Sequence, residues 1–203
     1  MLEDPSSLLS TLLRFGHIVF GIVWLGHLYF LNLVNVPLQG ELEAELKPRI
    51  NPRLLLRVLY WFRMGAMYTF VFGWILFGYK YGHQKLLIAD GAITNRGWWI
   101  LFGGLLGTVM WFNVWFIIWP RQKALLTGLI AGQMPADAAV MAKTAAKASR
   151  FNLFASGPLL FAMIVPNNDP GRSPWAILLA IVLGVGFWMG PLKRSFKIKT
   201  DGS

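Results

Sequence analysis

The sequence predicts an all-α integral membrane protein, a bundle of about five transmembrane helices with a helical cytoplasmic loop, forming one membrane domain over residues 1–203. Three observations carry this. Hydrophobic residues make up 56% of the chain and charged residues only 14%, whereas about a quarter of a soluble domain is charged. Five runs approach the roughly 20 apolar residues that a helix needs to cross a bilayer. Lysine and arginine are concentrated in alternate connections, as the positive-inside rule requires of a multi-pass protein.

The first span, 8–35, follows "MLEDPSSLLS", whose acids stand where a cleaved signal carries basic residues, so this helix is expected to be retained. "PLQGELEAELKPRINPR", with Pro48 and Pro52, reads as an exposed connection with at most one helical turn. The second span covers 55–79, and "GYKYGHQKLLIADGAITNRG" follows as a polar loop that contains His83. The third covers 97–119. Residues 121–150 form an amphipathic loop: apolar spacing at Leu125, Leu126, Leu129 and Ile130 gives a helix, "AGQMPAD" a break, and an Ala-rich helix begins near Asp137. The fourth span, 151–166, is short and interrupted by Ser156 to Pro158, so it is expected to be kinked, tilted or partly re-entrant. The fifth covers 174–191.

The first and third connections and the tail hold most of the basic residues, among them Lys47, Arg49, Arg53, Arg121, Lys143, Lys147, Lys193 and Lys199. Against them stand Lys80, Lys85, Arg96 and Arg172. The basic side is therefore read as cytoplasmic, with the N-terminus outside. A net charge of +10 is explained by membrane lipids as partners, through basic loops on an anionic leaflet, and no nucleic acid need be invoked. The chain has no Cys, which excludes disulfides, iron–sulfur clusters and covalent c-type haem. No metalloprotease, phosphate-loop, dinucleotide or nucleophile-elbow motif is present. No Asp or Glu falls inside a predicted span, which argues against a carboxylate-based proton pump.

Ionisable residues in apolar spans cost about 2.5 kcal/mol or more when charged at mid-membrane, so each calls for a reason. In "RFGHIVFGIVWLGHLYF", His17, Gly21 and Trp24 share one helical face. A neutral His17 beside Gly21 is a candidate axial ligand to haem iron in a b-type haem, with Arg14 meeting a propionate one turn nearer the surface. The alternative is that His17 hydrogen-bonds a neighbouring helix, Arg14 snorkels and Gly21 permits close packing. His27 lies about 15 Å further along, too far to share a metal with His17. Estimated depth groups His27 with Arg63, Asn113 and Asn152 as an inner polar cluster. This cluster is read either as a site for a planar or anionic ligand such as a purine or quinone headgroup, or as a network that staples helices. Gly103, Gly107, Gly184, Gly186 and Gly190 read as close-packing surfaces.

"GTVMWFNVWFIIWPRQKALLTGLIAGQMPAD", "ASRFNLFASGPLLFAMI" and "RFGHIVFGIVWLGHLYFL" together resemble the urate oxidase N-terminal domain of the bacterial membrane-bound urate oxidases. The resemblance rests on Arg14, His17, Gly21, Trp24 and Gly26, on Asn113 with the "PRQK" after it, and on Asn152, Pro158 and Phe161. It implies a multi-helix domain of the bacterial inner membrane that works in electron transport with a cytochrome c domain and is linked to urate oxidation. Phe151 and Asn167 stand where the family is expected to carry histidines, and the family's membrane domain is longer. The leading reading is a membrane redox subunit, with a haem b and with other membrane subunits or a separate cytochrome as partners. The alternative is a non-catalytic accessory subunit of a larger complex. A third is a self-contained urate-oxidising enzyme.

Overall fold

The computed structural model describes residues 5–83, 86–169 and 171–198. Lys85 and Lys199 of the charge balance, and Glu3 and Asp4 of the acidic start, lie outside the described residues. Seven α-helices follow in order: α1 Pro5–Tyr29, α2 Val36–Glu41, α3 Lys47–Phe77, α4 Asn95–Phe112, α5 Trp119–Ala131, α6 Ala138–Asn168 and α7 Ala176–Ser195. π-Helical segments cover Phe30–Asn35, Gly78–His83 and Asn113–Ile118, and a minimal antiparallel hairpin pairs β1 Ile88–Ala89 with β2 Ala92–Ile93.

Two of the π segments join α-helices into longer rods. Leu8–Glu41 and Asn95–Ala131 are each continuous and, with Ala138–Asn168 and Ala176–Ser195, are long and apolar enough to cross a membrane. The second predicted span lies in α3, which is 31 residues long. Tyr60, Trp61, Arg63, Tyr68 and Trp74 hold down its mean hydropathy, so it is not among those four.

Both joined rods contain a proline two residues after the π segment, Pro37 after Asn35 and Pro120 after Ile118. Proline lacks the N–H that closes an ordinary turn, and its ring crowds the carbonyl four residues back. A widened turn ahead of it relieves this crowding. The N–H of Val36 bonds Leu31 O, and that of Trp119 bonds Val114 O, both five residues back. Arg121 Nη1 then caps the carbonyls of Phe116 at 3.4 Å and Ile117 at 3.0 Å. The expected stop at residue 119 is thereby bridged.

Over 121–150 the structure has the helix, break and second helix expected there: α5 continues the third span to Ala131, a turn covers 132–137, and α6 begins at Ala138. Gly132 ends α5 at φ 67°, a left-handed conformation that favours glycine. The fourth span lies within α6, a 31-residue helix long and apolar enough to cross a membrane. α6 runs unbroken through Pro158 and Pro166, and α7 supports it at Pro158: Gly157 and Gly184 meet backbone to backbone, with Pro158 against Gly184.

α3 lies along α1, while α6 is central and packs on α4, α5, α7 and the Asn113–Ile118 segment. The main core gathers Trp24, Leu28, Leu59, Phe62, Met110, Val114 and Leu159. Outward faces are apolar: Leu12, Phe15 and Ile22 on α1, Leu105 and Val109 on α4, and Leu178, Val182 and Phe187 on α7 are exposed. Asn32, Asn152 and Ser156 are buried. Apolar residues outside and amides within is the pattern of a bundle whose solvent is lipid.

Candidate functional site

The outer candidates lie along the α1–α3 seam. His17, Gly21 and Trp24 meet, in antiparallel order, Gly73, Thr69 and Gly65. A Cβ at Gly73 would stand 2.8 Å from His17 Cε1, and one at Gly65 would stand 2.9 Å from the Trp24 backbone nitrogen. A Cβ at Gly21 would touch Thr69 Cγ2 at 3.9 Å, so α3 already fills the space beside it. The face expected to receive a flat macrocycle is a helix-packing surface, and no haem fits between these two helices.

His17 itself is precisely held within this seam by one bond: Nδ1 donates to the Thr69 carbonyl at 2.9 Å. A carbonyl can only accept, so the proton resides on Nδ1 and the lone pair on Nε2. Gly73, one turn beyond Thr69, has no side chain to cover that carbonyl. Nε2 has no hydrogen-bond partner among the described residues, and the ring is partly buried in the seam. Nε2 is therefore the ring nitrogen left to ligate a metal.

Arg14, one turn before His17, is exposed. Lys80 and Arg96 share its end of the bundle. Partial burial, and then the positive charges of Arg14 and Arg96, hold the Lys80 amine below its usual range. Arg96 Nε donates to Tyr81 Oη at 3.0 Å. Three cations converging on one end favour a carboxylate or another anion there.

Among the four inner candidates, hydrogen bonding joins only Asn113 and Asn152. Asn113 Nδ2 donates to Asn152 Oδ1 at 2.9 Å, and Asn152 Nδ2 donates to Met110 O at 2.9 Å. Asn113 opens the π segment and Met110 lies in the turn before it, so the pair satisfies backbone where the helix widens. His27 Nδ1 donates to Val23 O of its own helix at 2.6 Å. Arg63 stacks on aromatic faces, its guanidinium carbon 4.1 Å from the Trp119 ring centre, 5.0 Å from Trp115 and 5.9 Å from Tyr60. Its Nε is buried with no partner among the described residues, as is Nε1 of Trp24, Trp111 and Trp115.

Several polar contacts escaped the sequence reading. Tyr29 Oη donates to Ser156 Oγ at 3.2 Å, Asn32 Nδ2 to Ser149 Oγ at 2.8 Å, and Gln39 and Asn51 exchange amide bonds at 3.0 and 2.8 Å. The signal was available: Tyr29, Asn32, Asn35 and Gln39 recur at three- and four-residue steps, a polar stripe on a helix.

Fold and polar interior together define a multi-pass α-helical membrane protein. The chain belongs to the urate oxidase N-terminal family, whose model matches residues 85–197. The match includes Asn113 and Asn152 and ends N-terminally at residue 85, so Arg14, His17, His27 and Arg63 lie outside it. No curated protein and no solved structure matches the chain.

Proposed function

We propose that this protein is a membrane-embedded electron-transfer subunit of the bacterial inner membrane, its N-terminus outside, in which His17 is the axial ligand of a b-type haem. One observation carries the reading: the Thr69 carbonyl accepts from His17 Nδ1 and so leaves the lone pair on Nε2, which has no hydrogen-bond partner among the described residues. Backbone anchoring of the second ring nitrogen is the usual means of orienting a ligating histidine. Bound haem would supply one-electron redox chemistry. The chain's own residues hold the ring, with Gly73 and Thr69 as its seat, and supply positive charge for carboxylates through Arg14, Lys80 and Arg96. Because α3 fills the space beside Gly21, a second protein would be needed to cover the group. This makes another membrane subunit or a separate cytochrome part of the proposal. The test is haem content per chain after purification from native membranes. About one haem in the wild type and none in His17→Ala supports the reading, whereas equal content in both removes His17.

A second reading, a non-catalytic accessory subunit, is favoured by the seam. Gly65, Thr69 and Gly73 account for His17, Gly21 and Trp24 as packing, and the Asn113–Asn152 pair is a staple. Stable copurification with other membrane proteins in the absence of haem supports it.

A further inference from the structure

Arg150 ends the amphipathic segment expected over 121–150, yet the fold places it in a helix seam at membrane depth. Trp98 and Trp119 stand about 32 Å apart along the Asn95–Ala131 rod at ~1.5 Å per residue, close to the roughly 30 Å of a bilayer's hydrocarbon. Tryptophans mark such boundaries. Asn113 is then about 9 Å inside the Trp119 edge. Asn152 bonds Asn113, so Arg150, two residues nearer that edge, lies about 6 Å inside it. Arg150 is also two turns from Gly157 and shares the α6 face that meets Gly184 of α7. Trp188 follows Gly184 by one turn, and its ring centre is 4.3 Å from that of Tyr29. Arg150 Nη1 and Trp188 Nε1 are both buried with no hydrogen-bond partner among the described residues, and Trp188 is only 8% exposed. Two unpartnered donors near one level, one of them cationic, call for an acceptor. α1, α3, α4, α5, α6 and α7 contain no Asp or Glu. Glu41, at the end of α2, is about 13 Å further along the first rod than Asn32, whose amide bonds Ser149 beside Arg150.

We propose that this end of the α6–α7 seam receives a carboxylate from a transmembrane helix of another subunit, an Asp or Glu that pairs with Arg150 and accepts from Trp188 Nε1. The proposal rests on the reading that other membrane subunits accompany this chain, and it names the chemistry of the partner. Nearly level with Arg150, α7 exposes Gly190, with Gly186 one turn away; a Cβ at either would meet nothing within 4 Å. Glycines one turn apart on an open face let a second helix approach closely. A lipid headgroup would have to sink about 6 Å into the hydrocarbon to reach this level, whereas a helix presents a side chain at any depth. In so apolar a place a guanidinium and a carboxylate each supply the counter-charge that the other lacks.

The test places the full chain in phosphatidylcholine vesicles with synthetic polyleucine helices of about 20 residues, each carrying one Glu or one Gln at the depth of Arg150. Association is read by energy transfer between dyes on the two chains. The Glu helix is expected to bind about tenfold more tightly than the Gln helix, Arg150→Gln to erase the difference, and Lys147→Gln to keep it. Gly190→Leu, at an exposed position, should weaken both helices and covers the case in which Arg150→Gln fails to fold. Equal binding of the two helices by the wild type overturns the proposal, as does a Glu preference that survives Arg150→Gln or binding untouched by Gly190→Leu. Loss of the preference in phosphatidylglycerol vesicles also overturns it and assigns Arg150 to lipid. Subunits that copurify with the chain while the Glu helix shows no advantage would sink this proposal alone, and because no haem is needed the His17 reading is tested apart from it.

Discussion

Gly73→Ala tests the seating of His17 without removing it. The added Cβ would stand 2.8 Å from Cε1 and 2.9 Å from Nδ1, whereas ordinary contact begins near 3.4 Å, so the ring must retreat by about 0.6 Å. That retreat acts on the 2.9 Å bond to Thr69 O. Losing the bond costs about 1 kcal/mol, and an off-rotamer ring costs about 0.5–1.5 kcal/mol more. Replacing a helical glycine by alanine returns about 1 kcal/mol. Global stability should therefore change by no more than about 1–2 kcal/mol, while haem affinity, which depends on the orientation of Nε2, should fall about 10- to 100-fold. Unfolding in mixed detergent and haem titration of the refolded protein measure the two separately. An unchanged affinity in a variant shown to have lost the Thr69 bond would refute the claim that this carbonyl prepares the ligand.

Asn113→Ala and Asn152→Ala should each destabilise the bundle by about 1–2 kcal/mol. A double-mutant cycle should give a coupling of about 0.6–1.7 kcal/mol, and additive effects would mean that the 2.9 Å bond contributes nothing. Gly184→Leu should separate α6 from α7, because Gly157 and Pro158 lie against its backbone; a loss above about 2 kcal/mol is expected on unfolding, and a neutral result would contradict the crossing. The Lys80 amine is held below its ordinary value of 10.5 by burial and by Arg14 and Arg96. Between its folded and unfolded values the unfolded chain binds more protons, so stability should rise as pH climbs toward 10.5. Lys80→Gln should flatten that rise, and a slope unchanged by the substitution would assign it elsewhere.

Helical class and the positions of the apolar rods were legible because lipid imposes a composition that few other folds tolerate. Proline was the chief source of error. Pro120 and Pro158 read as breaks because a soluble helix has no neighbour to support them, whereas here a π segment and Gly184 do so. The site was legible residue by residue but not as an assembly. His17, Asn113 and Asn152 stood out as polar groups in apolar runs, and their partners Thr69, Gly73 and the Met110 carbonyl did not. A backbone carbonyl has no side-chain signature, and a glycine that exposes one resembles any other packing glycine. Depth alone leaves open where Arg63 points, because rotation about the helix axis turns its guanidinium toward Trp115 and Trp119.

The most direct test of the central claim is a reduced-minus-oxidised absorption spectrum of the protein with its native partners, compared with that of His17→Gly before and after addition of free imidazole. If His17 Nε2 is the axial ligand, the b-type bands vanish in the variant and return when imidazole occupies the space left by the ring. Bands that persist unchanged in His17→Gly would show that the iron is held elsewhere.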